Sequence, residues 1–255
     1  MNYLLDVDAL RVRYGGVVAV SDVDLQVREG EVFGLIGPNG AGKTSLIDAL
    51  TGYTPTAGGR VTFDGRDITR VRPHRRARMR LTRTFQSVEL FDDLTVEENL
   101  LVASERAGVR HALRDLFLPA RDPERRAVDW AISVCGLESV ARRYPREISH
   151  GQRKLVGVGR ALARRPRLVL LDEPAAGLDT DESLELGRRL RTLPEEYGVT
   201  VFLIDHDMGL VLSVCDHLMV LDFGRQIANG PPAEIREDPR VIEAYLGAHH
   251  AAASH

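Results

Sequence analysis

The chain of 255 residues has neither a long hydrophobic run nor an excess of positive charge. No uncharged apolar stretch approaches the ~18 residues that a membrane-spanning helix requires. The N-terminal residues include acids where a signal peptide needs an apolar segment. Lysine and arginine number 34 against 37 aspartates and glutamates, which argues against a dedicated nucleic-acid binder. These absences predict a cytosolic protein with no nucleic-acid partner.

Cysteine is scarce as well. Cys135 and Cys215 lie far apart and form no paired motif, so neither a disulfide framework nor a zinc cluster is expected. Both are interpreted as buried small apolar residues. The sequence shows no internal repeat, and we expect one domain over residues 1–255. Histidines concentrate in its last residues, where we expect a flexible tail over 248–255.

Strand patterns dominate the first third of the chain, and strand and helix patterns alternate in its final third. The apolar run from Val32 to Ile36 is typical of a buried central strand. Residues 45–50 predict a helix, which Gly52 ends. From about Ser87 to Ala163 the pattern is helical. Further strands are predicted at 23–27, 60–63, 81–85, 168–171, 199–204 and 218–221, and further helices at 94–101, 124–135, 181–193 and 208–214. This alternation predicts an α/β fold with a mostly parallel sheet covered on both faces.

A glycine-rich segment between a predicted strand and a predicted helix fits the pattern G-x-x-x-x-G-K-[ST]. Its backbone N–H groups can form a nest for phosphate oxygens, Lys43 can reach the β and γ phosphates, and the Thr44 hydroxyl can ligate Mg²⁺. A glycine-rich turn without a ligand is the less favoured alternative, because the whole motif stands in the context it requires. The predicted nucleotide-binding residues are Gly37, Pro38, Asn39, Gly40, Ala41, Gly42, Lys43, Thr44 and Ser45.

Two acids follow the apolar strand at 168–171 directly. Because ligands bind at the carboxyl ends of parallel strands, Asp172 is expected to face Mg²⁺ through water. Glu173 is expected to polarise the attacking water as a general base. Alone, the pair could equally be two solvated acids, but a phosphate loop needs an acid at this place.

Five further motifs follow the same order and spacing as those of ATP-binding cassette (ABC) ATPases, and we interpret them by that resemblance. Tyr14 resembles the aromatic residue that stacks on adenine, and Gln86 resembles the glutamine that senses Mg²⁺ and water. Residues 148–152, Ile-Ser-His-Gly-Gln, resemble the family's signature sequence. Gly177-Leu178-Asp179 resembles its D-loop, and His206 resembles its switch histidine.

The resemblance implies a P-loop NTPase fold: a RecA-like, mostly parallel sheet core, an antiparallel β subdomain and an α-helical subdomain at about residues 87–163. It also implies that two cassettes pair head to tail around ATP. Ser149, Gly151 and Gln152 of one subunit then cap the γ-phosphate held by Lys43 of the other, with Asp179 at the same interface. The implied metal ligands are Thr44, Gln86 and Asp172, and the implied catalytic residues are Lys43, Gln86, Glu173 and His206.

One position departs from the family pattern. His150 stands where the signature usually has its first glycine, and a bulky residue there could hinder a close backbone approach to phosphate. A large aromatic is frequent at this place in the branch that the chain resembles, so we interpret His150 as a feature of that branch.

Longer stretches resemble the ATPases of branched-chain amino-acid importers, and specifically the longer of their two ATPase subunits. Residues 83–100, 172–178 and 205–208 carry this likeness, together with C-terminal segments between 228 and 247. The resemblance implies a peripheral protein at the cytoplasmic face of the membrane. Its partners would be two membrane permeases, a second ATPase that is identical or paralogous, and a periplasmic or extracellular solute-binding protein reached through the permeases.

Alternatives remain open at this level. Urea and amide importers and lipopolysaccharide-type exporters are close cousins, since cargo is set by other subunits. A soluble ABC ATPase of translation or DNA repair usually carries two cassettes or a long coiled coil, neither of which is present. A non-catalytic nucleotide switch is disfavoured by the intact residues Lys43, Asp172, Glu173 and His206.

Two surface features have competing interpretations. Val88, Leu90 and Phe91 either line a groove for a permease helix or pack as ordinary core. Seven arginines between Arg70 and Arg83 are interpreted as the solvated face of a helix in preference to a nucleic-acid patch, because the whole chain is slightly acidic.

Overall fold

A computed structural model describes residues 3–84, 89–104 and 123–252 of the chain. Within them, two sheets are built from ten strands, in chain order β1 (Tyr3–Tyr14), β2 (Val17–Arg28), β3 (Val32–Ile36), β4 (Gly58–Phe63), β5 (Arg66–Asp67), β6 (Leu81–Arg83), β7 (Leu168–Asp172), β8 (Thr200–Ile204), β9 (His217–Asp222) and β10 (Arg225–Gly230). The helices are α1 (Lys43–Thr51), α2 (Pro73–Arg78), α3 (Val96–Ser104), α4 (Pro123–Cys135), α5 (His150–Leu162), α6 (Thr180–Tyr197), α7 (Met208–Val214), α8 (Pro232–Glu237) and α9 (Pro239–Ala252).

The larger sheet has six strands in the order β10-β9-β3-β8-β7-β6. All neighbouring pairs from β9 to β6 are parallel, and only the edge pair β10–β9 is antiparallel. The central strands β3, β7 and β8 are buried at every residue, as strands covered on both faces require. The predicted mostly parallel sheet is therefore confirmed.

The smaller sheet is antiparallel and has the order β2-β1-β4-β5. β1 is a long strand that the hydrophobic pattern does not reveal, and the short edge strands β5 and β10 were not predicted either. Ala9 has a positive φ of 44°, and the pairing with β2 shifts register between Val7 and Leu10. This bulge breaks the strict alternation of buried and exposed residues by which a half-buried strand is normally identified.

The core lies on both faces of the central sheet. Along β3, Phe33 and Leu35 belong to a cluster shared with α1 and the antiparallel sheet. Val32 and Ile36, on the opposite face, belong to a cluster shared with α3, α4, α5 and α6. The helix that follows the phosphate loop is thus packed between the two sheets, which fixes the loop at the edge of the larger one.

The helical elements predicted for the middle of the chain are present where the structure describes it. α3 begins at Val96 behind a capping box, in which the Glu98 N–H donates to the Thr95 hydroxyl over 3.3 Å and Glu98 accepts from the Thr95 N–H over 2.8 Å. Together, α3, α4 and α5 pack around one cluster. The bounds of a helical subdomain at 87–163 remain a prediction.

Most other predicted elements are confirmed with small shifts at their ends. α1 ends at Gly52, whose left-handed φ of 82° closes the helix as predicted. α6 runs on through Pro194 to Tyr197, beyond its predicted end. The backbone of α9 is helical as far as Ala252, inside the segment for which we expect a flexible tail.

The arginine-rich segment differs from its interpretation as a solvated helix face. Arg75 and Arg78 are exposed, but Arg76 is only 2% exposed. Its guanidinium donates to the carbonyl oxygens of Ala49 and Leu50 at the end of α1, over 2.8 and 2.7 Å. The free carbonyls at a helix C-terminus need donors, and here a buried cation supplies them.

Candidate functional site

The sequence-predicted groups meet at one edge of the central sheet. β3, β7 and β8 are neighbouring parallel strands, so their carboxyl ends lie side by side. The loop at 37–42 follows β3, Glu173 follows β7, and Asp205 and His206 follow β8. Three separate segments of the chain thereby come together without any of them being adjacent in sequence.

The phosphate loop has a backbone that only glycine allows at its key points. Gly37, Gly40 and Gly42 have φ values of 152°, 82° and 100°. A Cβ on Gly37 would overlap the carbonyl oxygen of Leu221, and one on Gly42 would lie 2.5 Å from the carbonyl oxygen of Ala19. The loop therefore curls between β9 and the β1–β2 hairpin, where no side chain could take the place of glycine.

Lys43 begins α1 and lies over this loop. Its ammonium donates to the carbonyl oxygens of Gly37 and Pro38, over 2.6 and 2.9 Å. Burial lowers the pKa of Lys43, and the negative charges of Glu173 and Asp172 oppose that effect. The lysine and the two acids therefore act on one another across the strand ends, which is the proximity that the sequence predicts.

Asp172 is buried against a cation that the sequence analysis did not identify. Its Oδ2 accepts from the Arg83 guanidinium over 2.9 Å, and Arg83 also pairs with Asp48 of α1. Burial raises the pKa of Asp172, while the hydrogen bond and charge of Arg83 lower it. The Asp172 N–H donates to the Thr84 hydroxyl over 3.0 Å. The end of β6 thus holds the acid that the sequence places near the metal.

Glu173 has a strained backbone conformation with a φ of 48°. A non-glycine residue in this left-handed region is uncommon and is found where surrounding contacts hold it. The Glu173 N–H donates to the carbonyl oxygen of Ile204 over 2.7 Å, and its own carbonyl accepts from the Lys154 ammonium and the Ala176 N–H, both over 3.3 Å. The side chain of Glu173 is thereby carried on a closely constrained turn.

His206 is carried by a loop that Asp205 organises. The Asp205 carboxylate is buried and accepts from the N–H groups of His206, Asp207 and Ala175, over 2.8, 3.0 and 3.1 Å. The His206 side chain is 64% exposed and points Nδ1 toward Asp205 Oδ1 at 3.6 Å. Asp205 therefore ties the loop after β8 to the segment after β7, and the imidazole remains accessible.

The signature-like residues form the N-terminus of α5. Ser149 is the N-cap: its hydroxyl accepts from the Gln152 N–H over 3.1 Å, and Gln152 Oε1 accepts from the Ser149 N–H over 3.0 Å. Asp179 caps α6 in the same way, accepting from the Glu182 N–H over 2.8 Å. Both predicted interface motifs are thus helix starts, with N–H groups available to an anion.

Gly151 and His150 connect these two helix starts. A Cβ on Gly151 would lie 2.7 Å from Leu178 Cδ2 and 2.8 Å from Glu182 Oε2, so α5 begins in direct contact with the 177–182 segment. A Cβ on Gly177 would lie 3.1 Å from the His150 ring. His150 therefore packs beside Gly177. A glycine at position 150 would leave the space next to Gly177 unfilled.

Tyr14 lies at the end of β1, in the hairpin whose Ala19 backbone abuts Gly42. It is 47% exposed, and its hydroxyl is 3.2 Å from the Thr54 hydroxyl. The structure thus leaves an aromatic ring accessible on the hairpin next to the loop. Gln86 lies outside the described residues, so its predicted role stays a prediction.

Three residues that contribute to the site went unnoticed as functional residues in the sequence: Arg83, Asp205 and Lys154. Arg83 and Lys154 act through partners from distant parts of the chain, so no local motif marks their roles. Asp205 binds the N–H groups of the next two residues and also that of the distant Ala175. Arg83 could have been suspected because it is a cation in the middle of the strand predicted at 81–85, where an unpaired buried charge would be costly.

A cavity of about 650 Å³ opens beside the site, between α1 and α2 on one side and α3 and α5 on the other. Thr84 and Glu89, on either side of the gap in the described residues, both line it, as do Phe91, Val102 and Arg160. Leu90 instead packs against the core, and Val88 lies outside the described residues. Phe91 therefore lines this cavity and Leu90 packs against the core, whereas the interpretation of the cavity as a permease groove remains a prediction.

Among the residues that the structure describes, no helix has the length and apolar character needed to cross a bilayer. In the same ranges, histidine, cysteine, aspartate and glutamate side chains form no group of three placed to hold a metal ion.

The sheet order and the loop at its carboxyl edge define a P-loop nucleotide hydrolase. A family profile described as "ABC transporter" matches residues 20–176, and one described as "Branched-chain amino acid ATP-binding cassette transporter" matches residues 225–251. The chain belongs to the ABC transporter family and is an ATPase that binds and hydrolyses ATP.

Curated relatives match over nearly the full length. The chain is 43% identical over 249 residues to the high-affinity branched-chain amino acid transport ATP-binding protein BraF of Pseudomonas aeruginosa, which covers 96% of this chain and 98% of that protein. It is 41% identical over 251 residues to the high-affinity branched-chain amino acid transport ATP-binding protein LivG of Salmonella typhimurium, with coverage of 96% of this chain and 98% of that protein. The predicted family and its branched-chain branch are confirmed.

Solved structures agree with the fold. A nucleotide-free ATP-binding cassette from an ABC transporter superposes with a TM-score of 0.83 at 30% identity, covering 96% of this chain and 99% of that one. A dimeric bacterial ABC transporter cassette has a TM-score of 0.74 at 24% identity, with coverage of 89% and 98%, and shares the fold. The predicted RecA-like core with a separate antiparallel sheet and added helices is confirmed.

Proposed function

We propose that this chain is the ATP-hydrolysing subunit of an importer of branched-chain amino acids. The observation that supports it most is the common strand edge that carries the 37–42 loop, Glu173 and His206. Phosphoryl transfer to water needs phosphate binding, orientation of the attacking water and stabilisation of charge at one place. The cargo is inferred from the relatives, since BraF and LivG are both named for branched-chain amino acid transport.

The roles divide among the residues according to their chemistry. The loop N–H groups and Lys43 bind the β and γ phosphates, and Ser45 extends the N–H cradle into α1. Glu173 orients and polarises the attacking water as general base, and His206 donates a hydrogen bond to the γ-phosphate. Tyr14 stacks on the adenine ring. Gln86 links the water and metal to the helical region.

The oxygen donors near the loop fit Mg²⁺. This ion favours one or two carboxylates together with substrate phosphates, which the Thr44 hydroxyl and Asp172 would complete. When bound, Mg²⁺ neutralises charge on the β and γ phosphates. Arg83 favours the ionised form of Asp172 through its 2.9 Å hydrogen bond, against the effect of burial, which raises the pKa of this carboxyl.

The active form is a head-to-tail pair of cassettes, identical or paralogous. Ser149, Gly151 and Gln152 of one protomer cap the γ-phosphate that Lys43 of its partner holds, with Asp179 at the same interface. The Ser149 hydroxyl accepts from Gln152, which leaves its own proton to donate to an anion. A related cassette has been solved as a dimer.

The cavity beside the site is the docking groove for a permease. Its lining joins apolar residues such as Phe91 and Val102 to the cations Arg160 and Arg164, and it opens next to Thr84, at the end of β6. A short permease helix seated there would place the ATPase peripherally at the cytoplasmic face of the membrane. A solute-binding protein on the opposite side would reach it only through the permeases.

The chemical part of the proposal is tested by Glu173→Gln. This variant should bind ATP, lose about 100-fold or more of its turnover, and accumulate as an ATP-bound dimer in size-exclusion chromatography. Unchanged turnover would remove Glu173 from its assigned role.

The cargo is tested by transport. Cells lacking this chain should lose uptake of labelled leucine, isoleucine and valine, and the wild-type gene should restore it while Glu173→Gln does not. Normal branched-chain uptake with a defect in urea or amide uptake would instead assign the chain to that kind of importer.

A further inference from the structure

The first two turns of α5, the helix that begins at the signature-like residues, both contact the segment that follows β7 and carries Glu173. In its first turn, His150 packs beside Gly177, and Gly151 packs against Leu178. In its second turn, the Lys154 ammonium donates to the Glu173 carbonyl over 3.3 Å. The helix and the turn after β7 are therefore joined within one protomer.

The contact from Lys154 falls on a backbone that needs support. Glu173 has a φ of 48°, which an L-residue adopts only at some energetic cost. Its N–H is held by Ile204 and its carbonyl by the Ala176 N–H over 3.3 Å, both backbone groups. Lys154 adds a charged donor to that carbonyl from a different element, over 3.3 Å.

We propose that Lys154 is a positioning residue that fixes the backbone of Glu173 to the signature helix and thereby couples the two ATP sites of the pair. The inference rests on the proposed role of Glu173 and on head-to-tail pairing. In that pair, Ser149 at the start of α5 engages the ATP held by the partner. Glu173 acts on the ATP held by its own protomer. Lys154 lies on α5 between these two groups, so engagement of one ATP adjusts the base that serves the other.

The lysine contributes through its charge and its length. Methionine keeps the apolar stem of the side chain and removes the donor, whereas arginine keeps a cationic donor of similar reach. Arg153 is a matched control, because it is the adjacent cation on α5 and its Nε also donates to a carbonyl, that of Pro145, over 2.7 Å. Lys154 donates to the Glu173 carbonyl and Arg153 to the Pro145 carbonyl, so only the first contact involves the proposed catalytic residue.

The experiment measures steady-state ATPase activity of the purified chain, or of its complex with the permeases, for Lys154→Met, Lys154→Arg and Arg153→Met. Lys154→Met should lower kcat about tenfold, with KM within about twofold and a Hill coefficient for ATP that falls toward ~1. Lys154→Arg should recover most of kcat, and Arg153→Met should keep the wild-type Hill coefficient. Thermal unfolding of the two methionine variants shows whether both are folded at the assay temperature.

Three results would overturn the inference: wild-type kcat and cooperativity in folded Lys154→Met, an equal loss in Arg153→Met, or no recovery in Lys154→Arg. Glu173→Gln separates this failure from that of the proposed function. If Glu173→Gln abolishes turnover and Lys154→Met does not reduce it, only the inference about Lys154 fails. If Glu173→Gln keeps full turnover, the assigned role of Glu173 fails and the inference fails with it.

Discussion

Two buried arginines fix the position of α1, the helix that follows the phosphate loop, through contacts outside the loop itself. Arg76 donates to the last carbonyls of α1, and Arg83 bridges Asp48 of that helix to Asp172 at the end of β7. Arg76 supplies donors to carbonyl groups at the end of a helix, and Arg83 supplies an opposite charge to the buried Asp172 carboxylate. The helix that begins with Lys43 is thus fixed at its far end and along its side.

Replacing Arg76 should destabilise the fold more than replacing its neighbour. Burial lowers the pKa of Arg76 to about 10, so the side chain is still charged at neutral pH. Arg76→Met leaves the carbonyls of Ala49, Leu50, Thr69 and Val71 without this donor, and we expect a loss of about 3 kcal/mol in the free energy of unfolding. Denaturant titration measures it. The exposed neighbour provides the control: Arg75→Met should change the value by under ~0.5 kcal/mol.

The two cysteine thiols should be nearly unreactive toward thiol reagents in the native protein. Burial raises the pKa of Cys135 to about 12 and raises the pKa of Cys215 well above its usual range. Because the thiolate is the reactive form, we expect Ellman's reagent to label the folded chain about 100-fold more slowly than a free thiol near pH 8, and both thiols at once in denaturant. A rapid native phase from either cysteine would contradict the burial on which this rests.

At the scale of the elements, the two helices at the candidate interface begin with the same motif, a capping box. Ser149 with Gln152 and Asp179 with Glu182 both form capping boxes. A capping box fixes the first turn and aligns its N–H groups, so a residue that could bind phosphate is also a residue that starts a helix. Stability and function must therefore be separated by the choice of substitution.

Substitutions at Ser149 make that separation. Ser149→Ala removes the cap and should cost about 1 kcal/mol in stability. Ser149→Asp keeps an equally good cap, so the free energy of unfolding should be nearly unchanged. Its negative charge, however, repels the γ-phosphate of the ATP that the partner protomer holds. We expect both variants to lose ATP-dependent dimerisation and turnover, Ser149→Asp more severely. Full turnover in Ser149→Asp would show that Ser149 acts only as a helix cap.

The sequence predicted those elements whose signals are local and missed those that depend on distant partners. The loop before Lys43, the buried strands β3 and β7 and the capped helix α3 are each encoded in a few consecutive residues. β1 was missed because its bulge at Ala9 interrupts the alternation. Arg83 and Lys154 were missed because their contacts join β6 or α5 to other elements, and only the sheet order brings those elements together.

At the scale of the whole molecule, the site and the groove share one boundary. Asp172 is held by Arg83 at the end of β6, and Thr84, the next residue along the chain, lines the groove. On the opposite wall, Arg160 of α5 lies over the Phe91 ring at 5.2 Å and donates to the Glu89 carbonyl over 2.7 Å. The helix whose first turn carries Ser149 therefore also lines the proposed permease groove.

Removing one aromatic side chain from the groove should weaken attachment to the permease without affecting nucleotide binding. The Phe91 side chain is 44% exposed and lines the groove, and aromatic residues in such pockets often dominate an interface. Phe91→Ala should lower the affinity for the permease about 30-fold, corresponding to about 2 kcal/mol, because its apolar ring is lost from the contact. Co-purification or a titration with detergent-solubilised permease measures the change, while ATP affinity of the isolated chain should remain at the wild-type value.

Ile242 on α9 is the matched control, since it is a large apolar residue that is 46% exposed but lies outside the groove lining. Ile242→Ala should leave permease affinity within about twofold of the wild-type value, because it removes a similar exposed area without touching the groove. If the two variants weaken attachment equally, or if Phe91→Ala does not weaken it, the permease must bind elsewhere on the cassette. The link from permease to Ser149 through α5 would then be lost, whereas the assignment of the strand-edge residues to ATP hydrolysis would stand unchanged.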